Sequence, residues 1–208
     1  RTIIGRETEE FENRVSKIFG KKFGIAVNSG SSANLLAIRL LDLPARSEVI
    51  TPLLTFSTTV SPIIQNDLIP VFVDVKAGTY QIDVDQIEKF ITKKTKALLI
   101  PSLIGNVPDL KRIKQIAKKH KLYFIEDSCD TLGATFEGKP SGYYSDISTT
   151  SFYGSHIITA GGNGGMLMVN STKWRDGAKV LRGWGRTSSI FSESESLDKR
   201  FGKKINGI

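Results

Sequence analysis

Apolar residues recur along this chain in two periods, and the periods alternate. Over 9–20, EEFENRVSKIFG, they return every three or four positions, which predicts an amphipathic helix. A compact apolar run then predicts a strand over 22–28 (KFGIAVN), and the small polar residues SGSSAN lead into a helix over 32–42. The exchange repeats as strand 47–52, helix 56–67, strand 69–75 and helix 83–91, with Asp83 or Asp85 near the start of that helix. Strand 96–101, helix 109–121 and strand 122–127 follow. Two further strands are predicted over 147–152 (ISTTSF) and 164–170 (GGMLMVN), and 174–185, WRDGAKVLRGWG, reads as a helix running into a loop. Beyond residue 186 the pattern becomes polar and irregular, without another strand.

Strands that alternate with helices and are apolar on both faces predict an α/β fold, a mainly parallel sheet flanked by helices. No internal repeat is visible, and one domain is expected. In such sheets ligands gather at the carboxyl ends of the strands. Three segments stand at those ends: SGSSAN after the first strand, EDSCD after strand 122–127, and SFYGSHIITAGGNGG, 151–165.

Composition narrows the function classes. With 208 residues the chain is long enough for one sizeable core. The net charge of +8 raises a nucleic-acid partner, but the basic residues are dispersed over helices such as LKRIKQIAKKHK and do not interleave with aromatics. A solvated surface accounts for them. Cys129 is the single cysteine, so neither a disulfide nor a multi-cysteine metal framework can form within the chain. No run reaches the roughly 18–20 apolar residues of a membrane span. The opening residues lack both a secretory apolar region and an initiator methionine, so a cytoplasmic location and a start inside a longer protein are expected.

Local chemistry leaves alternatives open. Ser29, Gly30, Ser31 and Ser32 precede a helix, where free amides and the helix dipole favour an anion; they equally suit a plain N-cap. Asp127 ends an apolar strand, and its carboxylate there can hold a protonated ring nitrogen, a metal, a substrate hydroxyl, or merely cap a turn. Glu126 and Asp130 are neighbours, but no ligand cluster of metal spacing surrounds them, so no metal site is expected. Phe56 stacks on a flat ligand or fills core, and His120 ends a lysine-rich helix as a surface residue. His156 stands apart, in a glycine-flanked loop five residues after Ser151.

Taken in order, AVNSGSSANLLA, EVITPLLTFSTTVSPIIQNDLIPVFVDV, TYQIDVDQIEKFITKKTKALLIP, GNVPDLKRI, FIEDSCDTLGA and SFYGSHIITAGGNGG resemble the DegT/DnrJ/EryC1/StrS family of sugar aminotransferases and dehydratases. The resemblance implies the large domain of the fold type I, aspartate aminotransferase-like enzymes, with residues 1–186 binding pyridoxal or pyridoxamine 5′-phosphate. Residues 187–208 become an irregular segment leading to a smaller C-terminal domain that this chain lacks. Carried over position by position, Ser31, Ser32 and Ser151 match cofactor-phosphate contacts. Phe56 matches the aromatic on the pyridine ring, Asp127 the partner of the ring nitrogen, and Asp130 a position near the ring hydroxyl. A carboxylate at Asp127 keeps the ring nitrogen protonated, which makes the ring an electron sink.

The family's aminotransferases carry a tethering lysine where His156 stands. Imidazole cannot form that covalent link, but it serves as a general base. The exchange resembles the 3-dehydratase branch, which implies pyridoxamine-phosphate-dependent removal of the C3 hydroxyl from a nucleotide-linked 4-keto-6-deoxyhexose. His156 becomes the base, with glutamate as amine donor and a homodimer as the assembly. Dideoxysugar biosynthesis for surface polysaccharide (lipopolysaccharide O-antigen) or a glycosylated metabolite is the implied setting. The segment between RGWGR and KRFG has no cysteine, and an iron–sulfur cluster needs about four protein ligands, so none is expected. The loop TAGGNGG is one residue longer than the family's pattern and lacks its glutamate. The competing expectations are an aminotransferase with an unusual base and a non-catalytic fragment that retains the fold.

Overall fold

In a computed structural model, residues 4–190 are described. Six helices and nine strands run in the order α1 Arg6–Ile18, β1 Phe23–Val27, α2 Gly30–Leu40, β2 Glu48–Pro52, α3 Ser57–Gln65, β3 Ile69–Val73, α4 Val84–Ile87, β4 Thr95–Pro101, α5 Leu110–His120, β5 Tyr123–Asp127, β6 Thr135–Phe136, β7 Lys139–Pro140, β8 Ile147–Ser151, β9 Gly165–Val169 and α6 Thr172–Arg182. Seven strands make one sheet in the order β1-β9-β8-β5-β4-β2-β3, and β6 and β7 form a small separate hairpin. Pairings among β8, β5, β4, β2 and β3 are parallel, whereas β9 is antiparallel to both neighbours. Only β9 therefore runs backwards in this sheet. Its connection from β8 carries no crossover helix, and without one a strand returns antiparallel.

Strand alternation sorts the core. On one face Ile25, Val49, Leu99, Ile125 and Leu167 pack with Ala33, Ala37 and Ile38 of α2. On the other, Leu98, Ile100 and Phe124 meet Leu110, Ile113 and Ile116 of α5. The α5 stripe is apolar at helical spacing, its start capped by the Asp109 carboxylate on the Arg112 amide at 3.0 Å. The helix expected over 83–91 is shorter: α4 is one turn, tightening into a 3-10 turn at Glu88–Phe90. Val84 and Ile87 are buried, Ile91 packs against the same core and Phe90 is exposed. α1 begins at Arg6, earlier than the pattern indicated, with Glu7 and Glu9 in the first turn.

α1, β1 and α6 are stapled together. Arg182 donates to Glu12 at 2.6 Å and to the Ala26 carbonyl at 2.9 Å, while the Ala26 amide donates to Glu12 at 2.8 Å. Of the irregular segment expected over 187–208, Thr187–Ile190 forms a 3-10 turn, and the remainder lies outside the described residues. The segment expected to lack cluster cysteines falls mostly there as well. Among the described residues no helix is long and apolar enough to cross a membrane, and no group of three or more His, Cys, Asp or Glu could hold a metal.

Candidate active site

With six sheet strands pointing one way, the segments after β1, β5 and β8 emerge at one edge. They line a single cleft of about 730 Å³ that receives Ser31, Phe56, Asp127, Asp130, Ser151 and His156. Ser32, also expected there, is not among the cleft-lining residues. Successive helical residues point about 100° apart, so Ser31 and Ser32 cannot share a direction. Glu126 lies on the opposite face of β5 from Asp127, and His120 bonds Glu88 at 2.7 Å away from the cleft.

The anion-binding end of the cleft is built by backbone. Ser29 caps α2, its hydroxyl accepting from the Ser32 amide at 3.1 Å. Among the described residues the Gly30 and Ser31 amides have no hydrogen-bond partner. Ser151 is brought alongside by sheet register, since Gly165 pairs with Val27 on one side and with Ser151 on the other. A side chain on Gly30 would fall 2.6 Å from Cys129 Sγ and 2.8 Å from Ser151 Cβ, and one on Gly165 would fall 2.2 Å from the Ser29 carbonyl. Both glycines keep the cradle open through close approach. Gly161 and Gly162 serve differently, with left-handed backbone at φ 73° and 150°.

Asp127 is buried at the cleft floor. Its Oδ2 accepts from Asn34 Nδ2 at 2.7 Å and from Thr59 Oγ1 at 3.0 Å, and Oδ1 accepts from the Cys129 amide at 3.2 Å. Asn34 is oriented in turn by Thr149, whose hydroxyl donates to Asn34 Oδ1 at 2.6 Å. An ionised carboxylate offers about four acceptor positions, so Oδ1 retains one for a donor entering from the cleft. Burial, with the adjacent Asp127 carboxylate adding to it, pushes the Cys129 thiol well above its ordinary range. It is a poor nucleophile in that state.

Phe56 is 68% exposed, a flat apolar wall rather than core filling. His156 lines the same cleft from the loop after β8, its amide donating to the Tyr153 carbonyl at 2.9 Å and the Tyr153 amide to Ser151 Oγ at 3.2 Å. The base candidate and the cradle serine thus share one turn. The Tyr153 ring meets the imidazole edge-on at 5.7 Å, Nε2 lies 3.7 Å from Asp130 Oδ1, and Nδ1 is buried without a partner among the described residues. The other Asp130 oxygen accepts from the Ile104 amide at 3.0 Å. Ile104 has left-handed backbone, φ 56° and ψ 34°, a conformation costing a β-branched residue about 1–3 kcal/mol.

On the face of the sheet behind Asp127, Glu126 accepts from Ser128 at 2.7 Å and from Ser145 and Ser148 at 3.3 Å. Burial pushes the Glu126 carboxyl up and lowers Lys21 nearby to about 8, against the pull of Glu126 and Asp146. Lys21 donates to the Ser145 and Asp146 carbonyls.

Sequence patterning missed Asn34, Thr59 and Thr149, which hold Asp127, and Ile104, which holds Asp130. One signal was available: Asn34 falls on the buried stripe of α2 formed by Ala33, Ala37 and Ile38, where an amide needs a polar partner. Ile104 offered no signal, because nothing about an isoleucine announces a positive φ.

The cleft suits the cofactor group already considered. Neutral donors at a helix terminus meet a phosphate, a fixed carboxylate meets a ring N–H, and an aromatic wall meets a flat ring. The comparisons with known proteins bear on the same point. The lipopolysaccharide biosynthesis protein RfbH of Salmonella typhimurium is 40% identical over 98% of this chain and 48% of its own length. The dTDP-4-dehydro-2,6-dideoxy-D-glucose 3-dehydratase of Saccharopolyspora spinosa is 41% identical over 89% of this chain and 42% of its own. The solved GDP-4-keto-6-deoxymannose-3-dehydratase ColD, as a histidine-to-asparagine mutant with bound GDP-perosamine, superposes with a TM-score of 0.89 at 29% identity, covering 97% of this chain and 55% of that one. The chain spans about half the length of these relatives. The model of the DegT/DnrJ/EryC1/StrS aminotransferase family matches residues 1–206, and the chain belongs to that family.

Proposed function

We propose that this chain is the large domain of a pyridoxamine-phosphate-dependent dehydratase that removes the C3 hydroxyl from a nucleotide-linked 4-keto-6-deoxy sugar. The observation that carries this is His156, which stands five residues after the cradle serine, in a cleft that no lysine lines among the described residues. The dehydratase names of two similar proteins support it. Lysines also lie outside the described residues, so the histidine, rather than their absence, bears the weight.

Each residue has a part. The Gly30 and Ser31 amides with the Ser31 and Ser151 hydroxyls receive the phosphate, and the α2 dipole favours its charge. Asp127 Oδ1 accepts the ring N–H, while Asn34 and Thr59 fix the carboxylate from behind. Phe56 covers one face of the ring. When bound, pyridoxamine phosphate supplies an amine for the sugar ketone and a ring that takes up electrons. His156 takes a proton at Nε2 and returns it to the hydroxyl that departs from C3. Glutamate as amine donor belongs to the same proposal. So does a second copy completing the site, supported by the exposed apolar side chains Leu54, Phe56 and Ile104 at the cleft.

The family description names aminotransferases, and amine transfer is the second outcome to be measured. Mass spectrometry of the full-length protein with nucleotide-linked 4-keto-6-deoxy sugars and glutamate separates loss of water from gain of an amine. Loss of water that disappears in His156→Asn is expected. Amine transfer by the unaltered protein, with no loss of water on any of the sugars, defeats the proposal.

A further inference from the structure

His156 is held by more than its loop. The titratable groups lining the cleft, among the described residues, are Asp127, Cys129, Asp130, Tyr153 and His156 itself. Asp127 is committed to Asn34, Thr59 and the Cys129 amide. Cys129 carries no charge with its thiol pushed up by burial. That leaves Asp130 as the acid the imidazole meets, with Oδ1 3.7 Å from Nε2. Asp130 is fixed from its far side, where Oδ2 accepts from the Ile104 amide at 3.0 Å. Two successive left-handed residues, Ile104 at φ 56° and Gly105 at φ 75°, shape the turn that supplies this amide. Such backbone in a β-branched residue persists only where its surroundings hold it.

We propose that Asp130 is a positioning residue for His156. One carboxylate oxygen is anchored to the Ile104 turn, and the other is held beside Nε2, where its negative charge meets the positive charge created when that nitrogen takes a proton. The inference rests on His156 acting as the base. It assigns Asp130 a role through the histidine rather than through a cofactor ring hydroxyl. An asparagine at position 130 keeps the shape and removes the charge that faces Nε2.

The test pairs two readouts on Asp130→Asn. In the protein loaded with pyridoxamine phosphate, kcat is expected to fall about tenfold or more, with KM and cofactor affinity within about twofold of the unaltered protein. In the unloaded protein labelled with nitrogen-15, the His156 Nε2 resonance is expected to move, because the charge beside it is gone. Asp130→Glu, which retains the charge, is expected to recover part of both, and it serves as the second variant if Asp130→Asn does not fold. An unmoved Nε2 resonance, or a kcat loss matched by weakened cofactor binding, overturns the inference. His156→Asn, run alongside, separates the two proposals. Turnover that survives it removes the base itself, whereas turnover lost in it but kept in Asp130→Asn removes only the role of Asp130.

Discussion

Gly165→Ala tests how the cleft is assembled. A methyl group at this position would lie 2.2 Å from both the Ser29 carbonyl carbon and its oxygen, and 2.6 Å from the Gly30 nitrogen. Ordinary contact begins near 3.4 Å, so something must give by about an ångström. β9 cannot give, because Gly165 is paired to Val27 on one side and Ser151 on the other. The displacement falls on Ser29 and Gly30, the start of α2. Overpacking of this kind costs about 1–3 kcal/mol. For a domain of this size that lowers the melting temperature by roughly 2–12 °C. Losing one charge-assisted amide contact to a phosphate costs about 1.5–3 kcal/mol, so cofactor affinity is expected to fall about tenfold or more. Thermal melts and fluorescence titration with pyridoxamine phosphate measure both. Gly154→Ala is the control in the loop that leads to β9, since a methyl there meets only the Gly162 carbonyl oxygen at 4.0 Å and no melting change is expected. A Gly165→Ala protein that melts within about 1 °C of the parent and binds the cofactor within about twofold refutes the register argument.

Two further outcomes follow from the buried polar groups. Asn34→Ala removes a 2.7 Å donor from the Asp127 carboxylate and leaves the Thr149 hydroxyl only the Glu126 carbonyl at 3.5 Å, and a destabilisation of about 1.5–3 kcal/mol is expected in urea titrations; a change below about 0.5 kcal/mol contradicts the network. Lys21 has its folded pKa lowered from 10.5 to about 8, so the unfolded chain binds more protons between those values and stability rises with pH across that window. The rise amounts to about 3 kcal/mol at most and should vanish in Lys21→Met, as urea unfolding at about pH 7.5, 9 and 10.5 reads directly. An identical slope in the variant rules out Lys21 as its source.

Legibility in the sequence follows what side chains advertise. The parallel sheet was readable because runs such as KALLIP and LYFIED are apolar on both faces, and Leu98, Leu99, Phe124 and Ile125 are buried on opposite sides of it. Convergence of SGSSAN, EDSCD and the His156 loop followed from strand direction alone. The reversed β9 was less visible, since an apolar strand gives no sign of its direction. Ser32, expected beside Ser31, does not line the cleft, because adjacent helical residues do not share a face. Asp130 was placed near the cleft by resemblance, yet its partner His156 and its anchor Ile104 are tertiary facts. Neither the 3.7 Å approach nor the left-handed turn has a local pattern to betray it.

The antiparallel pairing of Ser151 with Gly165 has one more consequence, for length. It closes residues 152–164 into a loop whose two ends are held by the sheet. An added residue inside a closed loop of this size changes its closure entropy by less than about 0.1 kcal/mol. A residue more or fewer in TAGGNGG therefore falls between two anchored ends. Natural variation can lengthen or recompose this stretch at small thermodynamic cost while His156, near its fixed beginning, stays where it is. The loop is a place where length and composition can change on an unaltered frame.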